Sequence, residues 1–240
     1  MKIIGHVSGL VRYPVKSMAG TQIESAFLGW HGLDGDRRFA FRRLDDQSGF
    51  PWLSASRLPE LILYQPFGLD ETNGEPLPTH VRTPTGADIE LRSDELEREL
   101  AGRFGKPVEL MQLKHGIFDD ASVSVISTTT ITAITSEAGV TPDSRRFRAN
   151  VLLEMLDPTA FAEDHWVGGR LMFGNDESGP AVSVTTRDVR CMMINLDPDT
   201  AKQDAQVLKG VVRLNGNNAG VYGTVVQTGT IKVGQTVSLV

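Results

Sequence analysis

Apolar and polar residues alternate in short runs along most of this chain, and the runs stop at glycine or proline. KIIGHVSGLVRYPV (2–15) and TQIESAFLGWHG (21–32) carry this partial alternation, which predicts half-buried strands. RRFAFRRLD (37–45) alternates until Asp45-Asp46-Gln47-Ser48-Gly49, a turn-rich stretch. ELILYQPF (60–67) and HVRTPTGADIELR (80–92) predict further strands, the second folded into a hairpin at Pro84-Thr85-Gly86. The closing GVYGTVVQTGTIKVGQTVSLV (220–240) predicts two or three strands about Gly229 and Gly234.

Helices are few. In SDELERELAGRFG (93–105), Ser93 is placed to cap, Leu96, Leu100 and Phe104 recur every fourth residue, and Gly105 can end the run. STTTITAITSEAG predicts a second helix from Ser127 to Gly139. Its β-branched residues lower helix propensity, so a strand running into a helix also fits. DPTAFAED (157–164) predicts a short helix, and FGLDETNGEPLPT (67–79) a polar loop. No repeat or low-complexity segment breaks the pattern. Many short strands with few helices predict a mainly β, α+β protein built on a barrel, not a parallel α/β sheet. A soft division falls near residue 115, between a β-rich first part (1–115) and a barrel-like second part (116–240).

Composition narrows the function. At 240 residues, with 40% hydrophobic and 22% charged positions, the chain can bury a real core and reads as an ordinary soluble protein. A net charge of −6 argues against non-specific nucleic-acid binding, which needs a broadly basic face. No stretch reaches the roughly 18 to 20 consecutive apolar residues of a membrane helix, and the opening residues lack a signal-peptide core. Cys191 is the only cysteine, so an intrachain disulfide and a multi-cysteine zinc or iron–sulfur site are excluded. The expectation is a cytoplasmic protein with neither nucleic-acid nor membrane partners.

Three features could carry chemistry. Cys191 is a soft ligand and a nucleophile with Arg187 and Arg190 close in sequence, although strand alternation can turn Arg190 to the opposite face; a buried thiol serving as a small hydrophobe is the alternative. GDRRFAF (35–41) and DSRRFRAN (143–150) cluster Arg37 with Arg38, and Arg145 and Arg146 with Arg148. Were 146–150 a strand, Arg146, Arg148 and Asn150 would share a face. Such arginines grip phosphate with a fork of donors or form a solvated, salt-bridged surface. In YPVKSMAG (13–20), Lys16 and Ser17 stand at a bend suited to an oxyanion or to an ordinary turn. The five histidines are scattered without ligand spacing. No nucleophile elbow, P-loop or dinucleotide fingerprint is present. The acid pairs Asp45-Asp46 and Asp119-Asp120 fit turns.

Taken together and in this order, the segments resemble the MOSC superfamily, the molybdenum cofactor sulfurase C-terminal domain proteins. The branch is the one with an N-terminal MOSC β-barrel segment, to which the amidoxime-reducing component belongs. YPVKSMAG, GDRRFAF and WLSASRLPEL resemble its first part. DDASVSVIS, RRFRANVLL, EDHWVGGRLMFG, VRCMMINLDPDT and GTIKVGQTVSL resemble the MOSC part. The resemblance implies a pyranopterin molybdenum cofactor with Cys191 as the thiolate on the metal and as the catalytic position. It implies that Lys16, Ser17, Arg38, Asp120, Ser122, Arg148, Asn150, Arg190 and Tyr222 hold the pterin and its phosphate. It further implies an oxidoreductase acting on a small N-hydroxylated or N-oxide substrate, fed by a separate electron-donor protein of flavin, ferredoxin-like or cytochrome type. A sulfur carrier using a Cys191 persulfide, and a cofactor carrier without turnover, are the rival readings. Several positions depart from the family pattern: Ile194-Asn195 replaces Thr-rich sequence, Ala201 stands for Gly, and Ala149 for Pro.

Overall fold

The computed structural model describes residues 2–70, 72, 74–174 and 178–240. In chain order its strands are β1 (Lys2–Arg12), β2 (Thr21–Ile23), β3 (Ser25–Gly29), β4 (Gly32–Leu33), β5 (Phe39–Arg43), β6 (Gln65–Asp70), β7 (Leu77–Arg82) and β8 (Asp88–Glu90). There follow β9 (Val108–Gln112), β10 (Val123–Ser127), β11 (Val151–Met155), β12 (Arg170–Phe173), β13 (Ala181–Val189), β14 (Asn218–Gln227), β15 (Gly229–Lys232) and β16 (Thr236–Leu239). The helices are α1 (Asp94–Phe104), α2 (Thr128–Ala138) and α3 (Gln206–Asn215).

Seven strands close a barrel in the order β11-β10-β14-β13-β12-β16-β1, with β1 pairing back onto β11 and carrying β2 at its edge. Closure satisfies the backbone groups that an open sheet would leave bare at its edges. The long β1 serves both β16 and β11 because its register shifts twice, between Ile3 and Gly5 and between Val7 and Gly9, which bends the strand around the barrel. Inside, Ile4, Val7 and Leu10 of β1 meet Val123, Val151, Val182, Val221 and Val237. The barrel core thus takes residues from both ends of the chain.

A second core gathers β5, β9, the β6-β7-β8 sheet and α1. Leu196 and Ala201, far along the chain, plug into it. A third cluster packs α2 and α3 on the barrel through Ile131, Ile134, Phe147, Val207 and Val211. The helix signals hold in detail. Ser93 Oγ accepts from Leu96 N and Ser127 Oγ from Thr130 N, while Gly105 and Gly139 end α1 and α2 in the left-handed region. Strand β10 runs straight into α2.

Some sequence expectations need correction. Residues Pro59–Leu63 form a 3-10 turn, not a strand: Pro59 starts the turn, and the consecutive Leu61 and Ile62 are both buried, which alternation does not allow. The loop expected at 67–79 is mostly a hairpin, with β6 and β7 paired from Gln65↔Arg82 to Asp70↔Leu77; its residues 71 and 73 lie outside the described residues. Pairing across the sheet, not the side chains, sets these strands. The short helix near 157–164 is a 3-10 turn at Ala162–Trp166. Helix α3 has no counterpart among the expectations, although Val207 and Val211 give its buried face.

Candidate functional site

The bend between β1 and β2 is fixed by backbone bonds from Lys16 N to Phe39 O (2.8 Å) and from Ala19 N to Tyr64 O (3.0 Å). Between these anchors Ser17 is buried with φ of 67°. The Lys16 Nζ donates to Phe118 O at 2.8 Å and lies 5.4 Å from the centre of the Phe50 ring. Burial pulls this ammonium below its ordinary range, against the pull of Asp119.

Arg37 lies at the centre. Its guanidinium donates to Asp36 Oδ2 (2.6 Å), Asn150 Oδ1 (3.1 Å) and Arg148 O (2.8 Å), and it pairs with Asp119 at 2.5 Å. Asn150 Oδ1 also accepts from Ser124 N at 3.1 Å, and its Nδ2 donates to Val11 O at 3.3 Å. Asn150 therefore joins β1, β10 and Arg37. Burial pushes the Asp119 carboxyl up, but Arg37, Lys16 and Arg148 outweigh it and hold the group below its ordinary value. Arg38 pairs with Glu75 through both carboxylate oxygens and donates to Gly116 O. Of the two arginines, Arg37 is the one brought into the site.

Residues 146–150 are not a strand, so Arg146, Arg148 and Asn150 do not share a strand face. Residues Ser144–Arg146 are a 3-10 turn, Arg148 has φ of 53°, and β11 begins at Val151. Arg148 consequently turns inward: its guanidinium stacks 4.4 Å from the Tyr13 ring centre and its Nη1 donates to Met18 O at 2.7 Å. Its Nε and Nη2 have no protein partner among the described residues. Burial lowers this guanidinium to about 10, Arg37 adding to the effect and Tyr13 and Asp119 opposing it; it stays charged at neutral pH and lacks a carboxylate of its own. Ser17, Arg37 and Arg148 all occupy the left-handed region, a costly backbone for non-glycine residues.

Cys191 is exposed and immediately precedes the 3-10 turn Met192–Asn195, two residues after the end of β13. The residue before it is buried: Arg190 Nη1 donates to Phe147 O and Nε to Ala219 O, both at 2.7 Å, and Nη2 pairs with Asp188 at 2.8 Å. Met193 Sδ lies 4.0 Å from Ser17 Oγ. Two glycines make room for these approaches. A Cβ on Gly220 (φ 79°) would meet Val125 O at 2.6 Å beside Arg190, and one on Gly32 (φ 107°) would meet Ser122 O at 2.2 Å. Tyr222 is paired with Ser124 across β10 and β14, and burial, with Asp188 and Asp119, pushes its phenol up. Asp120 is exposed next to Asp119.

Burial pushes Asp188 up to about 6, with Arg190 and Ser124 opposing. The folded protein therefore binds this proton more tightly than the unfolded chain. The resulting stabilisation is complete below the ordinary value of 3.8 and is lost as pH rises through about 6, on the order of 3 kcal/mol in all. Urea titrations at pH 4 to 7 should show Asp188→Asn with a flatter stability profile over that window. An unchanged slope would remove Asp188 from the titration.

The acids after the cysteine organise a turn. Asp197 Oδ1 accepts from Asp199 N (3.2 Å), Thr200 N (3.0 Å) and Thr200 Oγ1 (2.9 Å), and Ala201 follows with φ of 57°. Glycine adopts that backbone without strain, so Ala201→Gly is expected to stabilise the protein by about 1 kcal/mol in chemical denaturation; destabilisation would mean that the Ala201 methyl contributes more to the second core than its backbone costs.

Lys16, Arg148, Asn150, Arg190 and Tyr222 are linked through Arg37, Tyr13, Asp119 and Asp188, and Cys191 follows Arg190 on the surface. A cleft of about 770 Å³ leads off from Tyr13, Arg148 and Met193, with Arg146, Gln22 and Phe67 among its walls. Tyr13, Asp36, Asp119 and Asp188 belong to the cluster without having been singled out in the sequence as ligand contacts. The adjacency of Asp36 to Arg37 was the available signal.

Residues 112–238 match the MOSC domain, and residues 4–99 match the MOSC N-terminal beta barrel domain. The chain belongs to the MOSC domain family, a family associated with molybdenum-cofactor binding. Among solved structures it resembles the YuaD protein from Bacillus subtilis, at 14% identity and a TM-score of 0.53 over 100% of this chain and 97% of that one, which shows a shared fold. It also resembles YiiM from Geobacillus stearothermophilus (19% identity, TM-score 0.36, 50% of this chain and 55% of that one) and YiiM from Escherichia coli (10%, 0.45, 98% and 69%). No curated protein matches.

Proposed function

We propose that this protein is a molybdenum-cofactor oxidoreductase that reduces N-hydroxylated or N-oxide compounds with electrons from a separate donor protein. The observation that carries the reading is an exposed thiol next to Arg190, whose Nη1 holds Phe147 O one residue before Arg148, a guanidinium with open donors and no carboxylate partner. The donor set fits the cofactor's chemistry. A soft thiolate suits the metal, and Arg148 with Lys16 suits a phosphate. Arg37 spends its donors on protein groups and Arg190 gives Nε and Nη1 to backbone carbonyls, so their part is to hold the loops that carry Arg148 and Cys191. When bound, the cofactor supplies the two-electron oxygen-transfer chemistry. The chain's own residues then do the rest. Cys191 anchors the metal, Arg148 and Lys16 orient the phosphate, and Asp119 opposes the burial that pulls the Lys16 ammonium down.

The test is reduction of a hydroxylamine or an amidoxime by cofactor-loaded protein with an artificial electron donor. Turnover supports the reading. Absence of turnover with full cofactor content would favour a carrier, and cyanide-labile sulfur on Cys191 without molybdenum would favour sulfur transfer.

A further inference from the structure

The segment that carries the thiol is laced to the segment that carries Arg148. Upstream of Cys191, Arg190 grips Phe147 O. Downstream, Arg146 Nη1 donates to Asn195 O at 3.4 Å and its Nη2 to Asp197 Oδ2 at 2.9 Å. Arg145 forms two bonds to Asp199, at 2.7 and 2.8 Å, and is also paired with Asp143. Residues 143–148 and 190–199 are therefore joined on both sides of the sulfur. The two downstream pairs differ in character. Arg145 and Asp199 are exposed, where water and salt weaken a pair, whereas the Arg146 side chain is 7% exposed and its Asp197 partner 36%.

We infer that Asp197 is a positioning residue: its pair with Arg146 fixes the span between the Cys191 sulfur and the Arg148 guanidinium, and so sets how strongly the site draws an anion to the thiol. The inference rests on the proposed function for its purpose, but its geometry is independent of any bound cofactor. Asp197 has two separable duties. Oδ1 caps its own turn and Oδ2 holds Arg146. Asparagine keeps the first and removes the ionic second, so Asp197→Asn preserves the turn while loosening the arginine loop.

With one cysteine in the chain, thiol chemistry reads this span without ambiguity. In cofactor-free protein, the Cys191 thiolate attacks one sulfur of dithiobis(nitrobenzoate), forming a mixed disulfide and expelling the coloured nitrothiobenzoate anion. The rate with this dianionic reagent, divided by the rate with the neutral alkylating reagent iodoacetamide, reports the cationic field at the sulfur and cancels changes in thiolate fraction. Arg148→Ala is expected to lower the ratio about fivefold, and Asp197→Asn about threefold, both effects shrinking in high salt. Thr200→Val, which removes a turn bond and leaves the ion pair, should keep the wild-type ratio. A wild-type ratio in folded Asp197→Asn would overturn the inference, as would an equal fall in Thr200→Val, which would mean that the turn alone sets the span. Loss of the effect in Arg148→Ala would overturn both the inference and the cradle. Failure to find molybdenum in loaded preparations would reject the proposed function while leaving these ratios intact.

Discussion

Cys191→Ala is expected to reduce the molybdenum bound per chain to background and to abolish reduction of N-hydroxylated substrates, with an unchanged fold. The size of the effect follows from the chemistry: no other thiolate is available anywhere in the chain, and an alanine methyl cannot ligate a metal. The unchanged fold follows from the location. Cys191 is exposed and its side chain caps nothing, so truncation should change stability by no more than about 0.5 kcal/mol. Metal analysis and thermal unfolding on the same preparations check both halves. Retained metal and activity would exclude the thiol as ligand.

Arg148→Ala is expected to be the next largest loss, weakening cofactor retention about 10- to 100-fold, since hydrogen bonds to charged groups contribute about 1.5 to 3 kcal/mol each. Lysine should rescue it poorly. Arg148 already commits Nη1 to Met18 O while stacked on Tyr13, and an ammonium can neither stack as a plane nor hold a fork. Pterin released after denaturation, compared with protein, measures the effect. The same substitution removes a buried cation whose guanidinium is already pulled down by burial, so the free protein should lose little stability. Unchanged pterin content would show that Arg148 lies outside the cradle.

The sequence made the barrel legible because its signal is local. Alternation marks β1, β5 and the last three strands, and Ser93, Ser127, Gly105 and Gly139 bracket two helices by capping chemistry that needs no tertiary context. What it hid depends on contacts between distant residues. The β6-β7 hairpin is polar in its own right and becomes a strand pair only through its register. The 59–63 segment buries the adjacent Leu61 and Ile62, and its run of Leu61, Ile62 and Leu63 mimics a strand. Within the site, residue type pointed to Cys191, Lys16 and Arg148, but sequence cannot tell a free guanidinium from a neutralised one. Arg38 is held by Glu75, Arg190 by Asp188, and Arg37 by Asp36 and Asp119. Only three-dimensional pairing separates them from Arg148. The departure at Ala201 was visible as a residue where the family carries glycine; the left-handed backbone that explains the glycine was not.

The most direct measurement is elemental and pterin analysis of the wild-type protein after expression in a host that makes the molybdenum cofactor. The account predicts close to one molybdenum and one pterin per chain. Protein that emerges from such a host with neither would contradict it.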